Sequence, residues 1–377
     1  MRVAVVHSFY RSDQPSGENL VVREQSELLA ESGHDVELFA RFSDGLVDKP
    51  SYRLRAASRT ITGIGSNPLG EIRAFRPDIV HVHNLFPNFG STWLTRLPVP
   101  FVATLHNYRP LCANGLLFRD GRVCEDCPDG AAWSGIQHGC YQGSRLATFP
   151  LAARNALGLK RNPVFSHASA VVCLSARMRE IFIRYGAKRE QLHVIPNGKR
   201  PTSTQRVDPH NNRWLTAGRL EPAKGISSLL QQWPNEERLD VFGDGPEESL
   251  IRQLAGTNIR LFRAVTREYL LARMSHYIGL VFPSESFEAQ GVVALEAISS
   301  GIPVVAKTGN TVADLVKSSG AGVVYASQKD LPQALERTKS QRDAFGDRGL
   351  DYFRNNLTDV GWLERTNSLY QKVLGGP

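Results

Sequence analysis

Long apolar runs are missing from this sequence. No stretch of eighteen apolar residues occurs in its 377 positions, so no hydrophobic membrane span is expected. The apolar part of the opening MRVAVVHSFY is too short for a secretion signal and reads as a first strand. The expectation is a cytoplasmic protein. No run of basic residues interleaved with aromatics resembles a nucleic-acid module, so nucleic acid is not an expected partner. Cysteine is scarce, five residues in all, and four of them crowd into positions 112–140. Apolar and charged shares are ordinary, at 41% and 22%, which describes a globular chain long enough for two domains with full cores.

Charge is unevenly placed. Residues 1–200 carry 25 Lys and Arg against 17 Asp and Glu, whereas residues 201–377 carry 20 of each. The whole surplus of +8 lies in the first half. A basic half suits an anionic partner, with a membrane surface or lipid diphosphate ranked above nucleic acid. Solubility alone is the plainer alternative.

The stretch that organises the chain is Val281 to Gly309, VFPSESFEAQGVVALEAISSGIPVVAKTG. It reads as a strand end, a loop containing Glu288, a helix starting at Gly291 and containing Glu296, a stop at Gly301-Ile302-Pro303 and a second strand. A ligand of such a unit sits at the carboxyl end of the strand, over the helix N-terminus. That end carries free N–H groups and partial positive charge, which suits a diphosphate. Glu288 then faces the group on the distal phosphate, and Glu296 faces the nucleoside, where a carboxylate accepts from ribose hydroxyls. Taken alone, two glutamates are more often solvated charges.

They are not alone. Pro283, Ser284, Glu288, Gly291, Glu296, Ala297, Gly301, Pro303 and Val304 together resemble the signature of retaining glycosyltransferases of the two-domain GT-B fold, most of all the bacterial group 1, or family 4, class. The resemblance implies an α/β protein of two Rossmann-like doubly wound domains facing across a cleft. The first, 1–198, is the acceptor side with a Cys-rich insertion at 108–141. The second, 199–358, binds the nucleotide sugar, and a helix at 359–377 crosses back to the first.

The rest of the chain extends the likeness. Arg2 to Ser8 is an apolar strand, followed by a loop to Gly17, a helix from about Glu18 to Ser32 and a strand at Val36 to Phe39, a β-α-β opening. Ser16-Gly17 stands where the family often has Gly-Gly, and Gly17 permits close backbone approach to the donor. PDIVHVHN and VATLHN both end strands on histidine, and the resemblance places His106 against the transferred sugar, reached from the other domain when the cleft closes. His83 and Asn84 carry a weaker version of the same signal. VIPNG, ending at Gly198, precedes a polar linker at 199–212. Gly218-Arg219-Leu220-Glu221-Pro222-Ala223-Lys224-Gly225 matches the family's diphosphate loop, with Arg219 and Lys224 as its cations. Val265 ends the segment expected to meet the base. Ala289, Gln290, Gly291 and Val292 complete the expected donor contacts. The departures are Arg263 in place of a glycine, Gln290 in place of an aromatic and Asp314 in place of a glutamate.

Between Tyr108 and Tyr141, Cys112, Cys124, Cys127 and Cys140 are spaced C-x11-C-x2-C-x12-C. C-x2-C with two flanking cysteines reads as a tetrahedral structural zinc set more readily than as disulfides in a cytosolic protein. Reduced thiols, or His138 as an alternative ligand, remain open. The insertion resembles one in family members of exopolysaccharide and O-antigen assembly. Gly143 to Gly158 reads as a helix that either packs normally or, with Arg145, Arg154, Lys160 and Arg161, lies on a membrane surface. Cys173 reads as core.

The reaction implied is transfer from a nucleotide-diphosphate sugar to a glycan or lipid-linked acceptor, with retention, an oxocarbenium-like transition state and front-face attack. Arg219, Lys224 and the helix amides near Gly291 stabilise the leaving diphosphate, while Glu288 orients the sugar and Glu296 the ribose. No Asp-x-Asp motif suited to a donor-bound cation occurs, so no cofactor is expected for catalysis. A nucleotide-sugar epimerase on the same scaffold and a non-catalytic nucleotide-binding partner are the alternatives.

Overall fold

The computed structural model describes residues 1–9, 17–44, 50–201 and 212–376. The loop residues before Gly17 and most of the expected linker lie outside them. The chain divides into two units, one of residues 1–117, 125–197 and 362–377, the other of residues 118–124 and 198–361.

The first unit is built on six parallel strands: β1 (Arg2–Phe9), β2 (Asp35–Phe42), β3 (Ile79–Asn84), β4 (Phe101–Leu105), β7 (Ala170–Cys173) and β8 (Leu192–Val194). Their order is β2-β1-β3-β4-β7-β8, so the winding reverses between β1 and β3. Val3 to Val6 read as a continuous apolar run because a parallel strand is covered on both faces. The helix Gly17–Glu31 returns from β1 to β2 and buries Val21, Val22 and Leu29. Gly33, at φ 91°, ends it in a conformation glycine adopts without strain. Trp362, Leu369 and Tyr370 of the helix Asp359–Val373 join Val3, Ile79 and Val172 in the core.

The second unit repeats the plan with β9 (Trp214–Ala217), β10 (Leu239–Phe242), β11 (Ile259–Phe262), β12 (Leu280–Phe282), β13 (Val304–Lys307) and β14 (Gly322–Tyr325). The order β11-β10-β9-β12-β13-β14 is the doubly wound one, reversing between β9 and β12. Successive residues enter opposite core layers. Leu215, Leu280 and Val304 pack on one face, and Trp214, Val281 and Val305 on the other.

Three regions differ from the sequence reading. Helices Pro50–Thr62 and Leu69–Phe75 occupy a stretch for which no element was expected. The insertion, for which no strand was expected, buries Leu111, Ala113, Leu117 and Phe118, and includes the antiparallel pair β5 (Phe118–Arg119) and β6 (Arg122–Val123). The helix expected at 143–158 runs Arg145–Asn155, capped by Ser144, and leaves Leu146, Phe149 and Leu157 exposed instead of packed.

Candidate active site

In the second unit, the reversal sets the loop after β9 beside the loop after β12. Gly225 makes this contact close: at φ 66°, a Cβ on it would lie 2.3 Å from the Pro283 carbonyl oxygen. The loops are tied further where the Glu285 N–H donates to the Ala223 carbonyl at 3.0 Å, with Ser284 Oγ also 3.0 Å from that oxygen. Lys224 is thereby delivered to Glu288, its Nζ 2.7 Å from Oε1, and the Ser284 hydroxyl donates to the same oxygen at 2.6 Å. Burial alone pushes the Glu288 carboxyl up. The Lys224 ammonium, the Ser284 hydroxyl and the Arg219 charge outweigh it, so the group sits below its ordinary value and is ionised at neutral pH. Glu288 itself holds φ 53°, unusual for a residue with a side chain.

Arg219 turns its head outward, 65% exposed, with Nη2 3.0 Å from Glu221 Oε1. Ala289 is partly open and Gln290 is buried. Gly291, at φ 77°, begins the helix Val292–Ser299, and a Cβ there would lie 2.3 Å from Val312 Cγ2. Val292 is partly buried. Glu296 is buried about one turn along the helix and receives the guanidinium Nε of Arg267 on Oε1. The sequence reading missed Arg267. Its signal was a charged residue directly after the helix-capping Thr266, in the segment following β11. Val265 precedes that cap and is 37% exposed. Glu285, on the rim, pairs with Lys307.

The first unit gathers imidazoles at the equivalent edge. His106 follows β4, and its Nε2 lies 2.9 Å from Nδ1 of His83 on β3. The rings of His83 and His81 stack at 4.3 Å, and His7 of β1 meets His83 edge-on at 6.3 Å. Burial holds His106 and His81 down to about 3 and His7 to about 4. His83 is held well below its ordinary value by burial and then by its histidine neighbours. All four are neutral at physiological pH, so this edge offers hydrogen bonds without charge. Gly17 is the exposed first residue of its helix. Next to it, Glu18 was not singled out from sequence, although its carboxyl lies by Asn84, Asn107 and Arg109 and is pushed up to about 7, chiefly by burial.

Cys112 and Cys173 are buried, and Cys124, Cys127 and Cys140 are partly buried. The Cys112 thiol donates to Asn114 Oδ1 at 2.9 Å. Among the described residues, no group of three or more His, Cys, Asp or Glu side chains is arranged to hold a metal ion. Cys173 is fully buried in β7 and its thiol is pushed up to about 12 by burial. No helix among the described residues is long and apolar enough to cross a membrane.

Comparison with known proteins converges on one family. The family described as Glycosyltransferase Family 4 matches residues 15–201, and Glycosyl transferases group 1 matches residues 211–340. Glycogen synthase of Mycobacterium tuberculosis is 25% identical over 320 residues, covering 80% of this chain and 69% of that protein. Among solved structures, sucrose-phosphate synthase from Thermosynechococcus elongatus superposes with a TM-score of 0.71 at 17% identity, covering 99% of each chain. Anabaena Alr3699/HepE, in complex with UDP and glucose, gives 0.65 at 15%, covering 99% of this chain and 100% of that one. These two likenesses bear on the fold, two Rossmann-like α/β domains with parallel sheets. By its two family matches and its fold, the chain belongs to the family 4, group 1 glycosyltransferases of the GT-B type.

Proposed function

We propose that this glycosyltransferase moves a sugar from a nucleotide-diphosphate sugar to a glycan or lipid-linked acceptor, with retention and without a catalytic metal. The observation that carries the reading is the Lys224–Glu288 pair at the β9/β12 reversal, beside the helix that starts at Gly291. An ammonium, an open guanidinium at Arg219 and helix amides make one anion-binding corner, suited to the charge that develops on a departing diphosphate. Glu288, held ionised, accepts from sugar hydroxyls. Glu296, held by Arg267, accepts from ribose hydroxyls. His106 is neutral and so acts as a hydrogen-bonding group to the sugar. Retention follows the resemblance, as does front-face attack on an oxocarbenium-like carbon. The cations already in the corner take the part a divalent ion plays elsewhere.

The test is a binding panel of UDP- and GDP-sugars, followed by NMR of the product's anomeric proton and turnover in EDTA. An inverted product or loss of activity in EDTA refutes the corresponding half of the reading. Release of an epimerised free sugar without acceptor would favour the epimerase alternative.

A cytoplasmic site on an anionic membrane, and a role in cell-surface polysaccharide assembly, belong to the same proposal. They are supported by the exposed Leu146, Phe149 and Leu157 near the basic Arg145, Lys160 and Arg161, and by the likeness of the insertion. Co-sedimentation with phosphatidylglycerol vesicles, lost in Leu146→Ser, tests the membrane part. Structural zinc on Cys112, Cys124, Cys127 and Cys140 is a proposal carried by the C-x2-C spacing alone. One zinc per chain by elemental analysis supports it, and none refutes it.

A further inference from the structure

Among the described residues, seven buried side-chain polar atoms of the first unit have no hydrogen-bond partner, and three of them, Glu18 Oε1, Arg109 Nε and His7 Nδ1, lie at one sheet edge. Buried polar groups are nearly always satisfied, so three at one sheet edge call for an explanation. They belong to one cluster. Glu18 bonds with Asn84 and Asn107 and lies in the field of Arg109. The Arg109 backbone N–H donates to Asn107 Oδ1 at 3.0 Å. Asn84 is the register partner of His7 across β1 and β3.

Their chemistry is complementary. Glu18 Oε1 accepts. The His7 ring meets Asn19 Oδ1 through Nε2 at 3.0 Å, so Nε2 carries the proton and Nδ1 also accepts. Arg109 Nε donates. A hydroxyl both donates and accepts, so a pair of neighbouring hydroxyls can meet all three. An anion fits poorly, because the Glu18 carboxyl offsets the guanidinium and the neighbouring imidazoles of His7, His83 and His106 are uncharged. The Arg109 guanidinium lies 4.6 Å from the centre of the Phe86 ring and 5.6 Å from that of Tyr141, which adds the aromatic wall that sugar sites use.

We propose that Glu18, Arg109 and His7 form a subsite that holds neighbouring hydroxyls of the acceptor sugar, with Glu18 as its positioning residue. This rests on the transferase reading. It adds a pH dependence, since Glu18 accepts from a hydroxyl fully only when ionised. The charged group facing Glu18 is Arg109, while His7, on the neighbouring strand with His83 beside it, lies in the field of Arg23.

The test is ligand-observed NMR on the full chain, with methyl α-glucoside, α-galactoside and α-mannoside as probes. Wild type should bind at least one of them, about tenfold more weakly near pH 6 than near pH 8. Glu18→Gln should weaken binding about tenfold and flatten that dependence. Glu18→Asp should bind weakly but keep the dependence. Thermal melting and UDP-sugar binding confirm that each variant is folded. Unchanged glycoside affinity in Glu18→Gln, a pH dependence that survives it, or no binding of any glycoside to wild type would overturn the proposal. The donor reading is judged separately, by nucleotide-sugar binding in Lys224→Ala.

Discussion

At the reversal between β9 and β12, Lys224 meets Glu288 at 2.7 Å, and Arg267 closes on Glu296 further along the same helix. At the reversal between β1 and β3, the side chains are His7, His81, His83 and, from β4, His106, all held neutral by burial. The two sheets share a parallel, doubly wound plan and present different side-chain chemistry at the same topological place. A reversal supplies only a crevice, and the residues at its rim decide what enters. Charged pairs with a helix N-terminus suit a phosphorylated ligand, whereas neutral imidazoles and amides suit hydroxyls.

The sharpest way to break this contrast is to remove the ammonium. Lys224→Ala should lower kcat/KM for transfer by about 10²–10³-fold, the usual loss of one preorganised electrostatic partner. It also leaves Glu288 buried without its cation, so that carboxyl should titrate higher. Near-normal turnover would remove Lys224 from the chemistry. Gly225→Ala tests geometry with every charge retained. Its Cβ would lie 2.3 Å from the Pro283 oxygen, and the forced shift of the loop should cost about 10²-fold in the same assay. Arg267→Ala removes one charge-assisted hydrogen bond from Glu296, and KM for the donor should rise about tenfold with kcat little changed.

Stability against pH sharpens the first unit's side. The imidazoles have folded values below the ordinary 6.5, so their contribution is full above that value and is lost as pH falls toward about 3–4. Melting temperature should therefore decline below about pH 6.5, and His81→Asn should reduce the slope. Glu18 has the opposite sign. Its carboxyl is raised from 4.5 to about 7, so the fold loses stability as pH climbs through that window. Glu18→Gln should then stabilise the chain near pH 8, by at most about 3 kcal/mol, while weakening glycoside binding. A lower melting point near pH 8 would show that the carboxylate is satisfied in the folded state.

Much of the second unit's site was legible because its parts are local. Gly291 and Glu288 follow a strand end in one short stretch, and Arg219 and Lys224 share a loop. The salt bridge between Lys224 and Glu288 was not legible, since they are 64 residues apart and only strand order joins them. Arg267 was hidden for the same reason, 29 residues before its partner. Glu18 looked like an ordinary acidic residue of a helix's first turn, and nothing local reveals its burial. Leu146 shows the reverse failure: apolar residues at helical spacing suggest a packed face, yet it is 88% exposed.

The Tyr370 hydroxyl lies 2.6 Å from His81 Nδ1, and Trp362 and Leu369 fill the interior around β1 and β7. During synthesis, the early sheet must therefore wait for a helix made much later. Until the helix Asp359–Val373 leaves the ribosome, that sheet has an open flank and a buried histidine without its phenol. A premature stop near position 361 would thus damage the first unit, whose sheet was made early, more than the second, whose residues would all have been made.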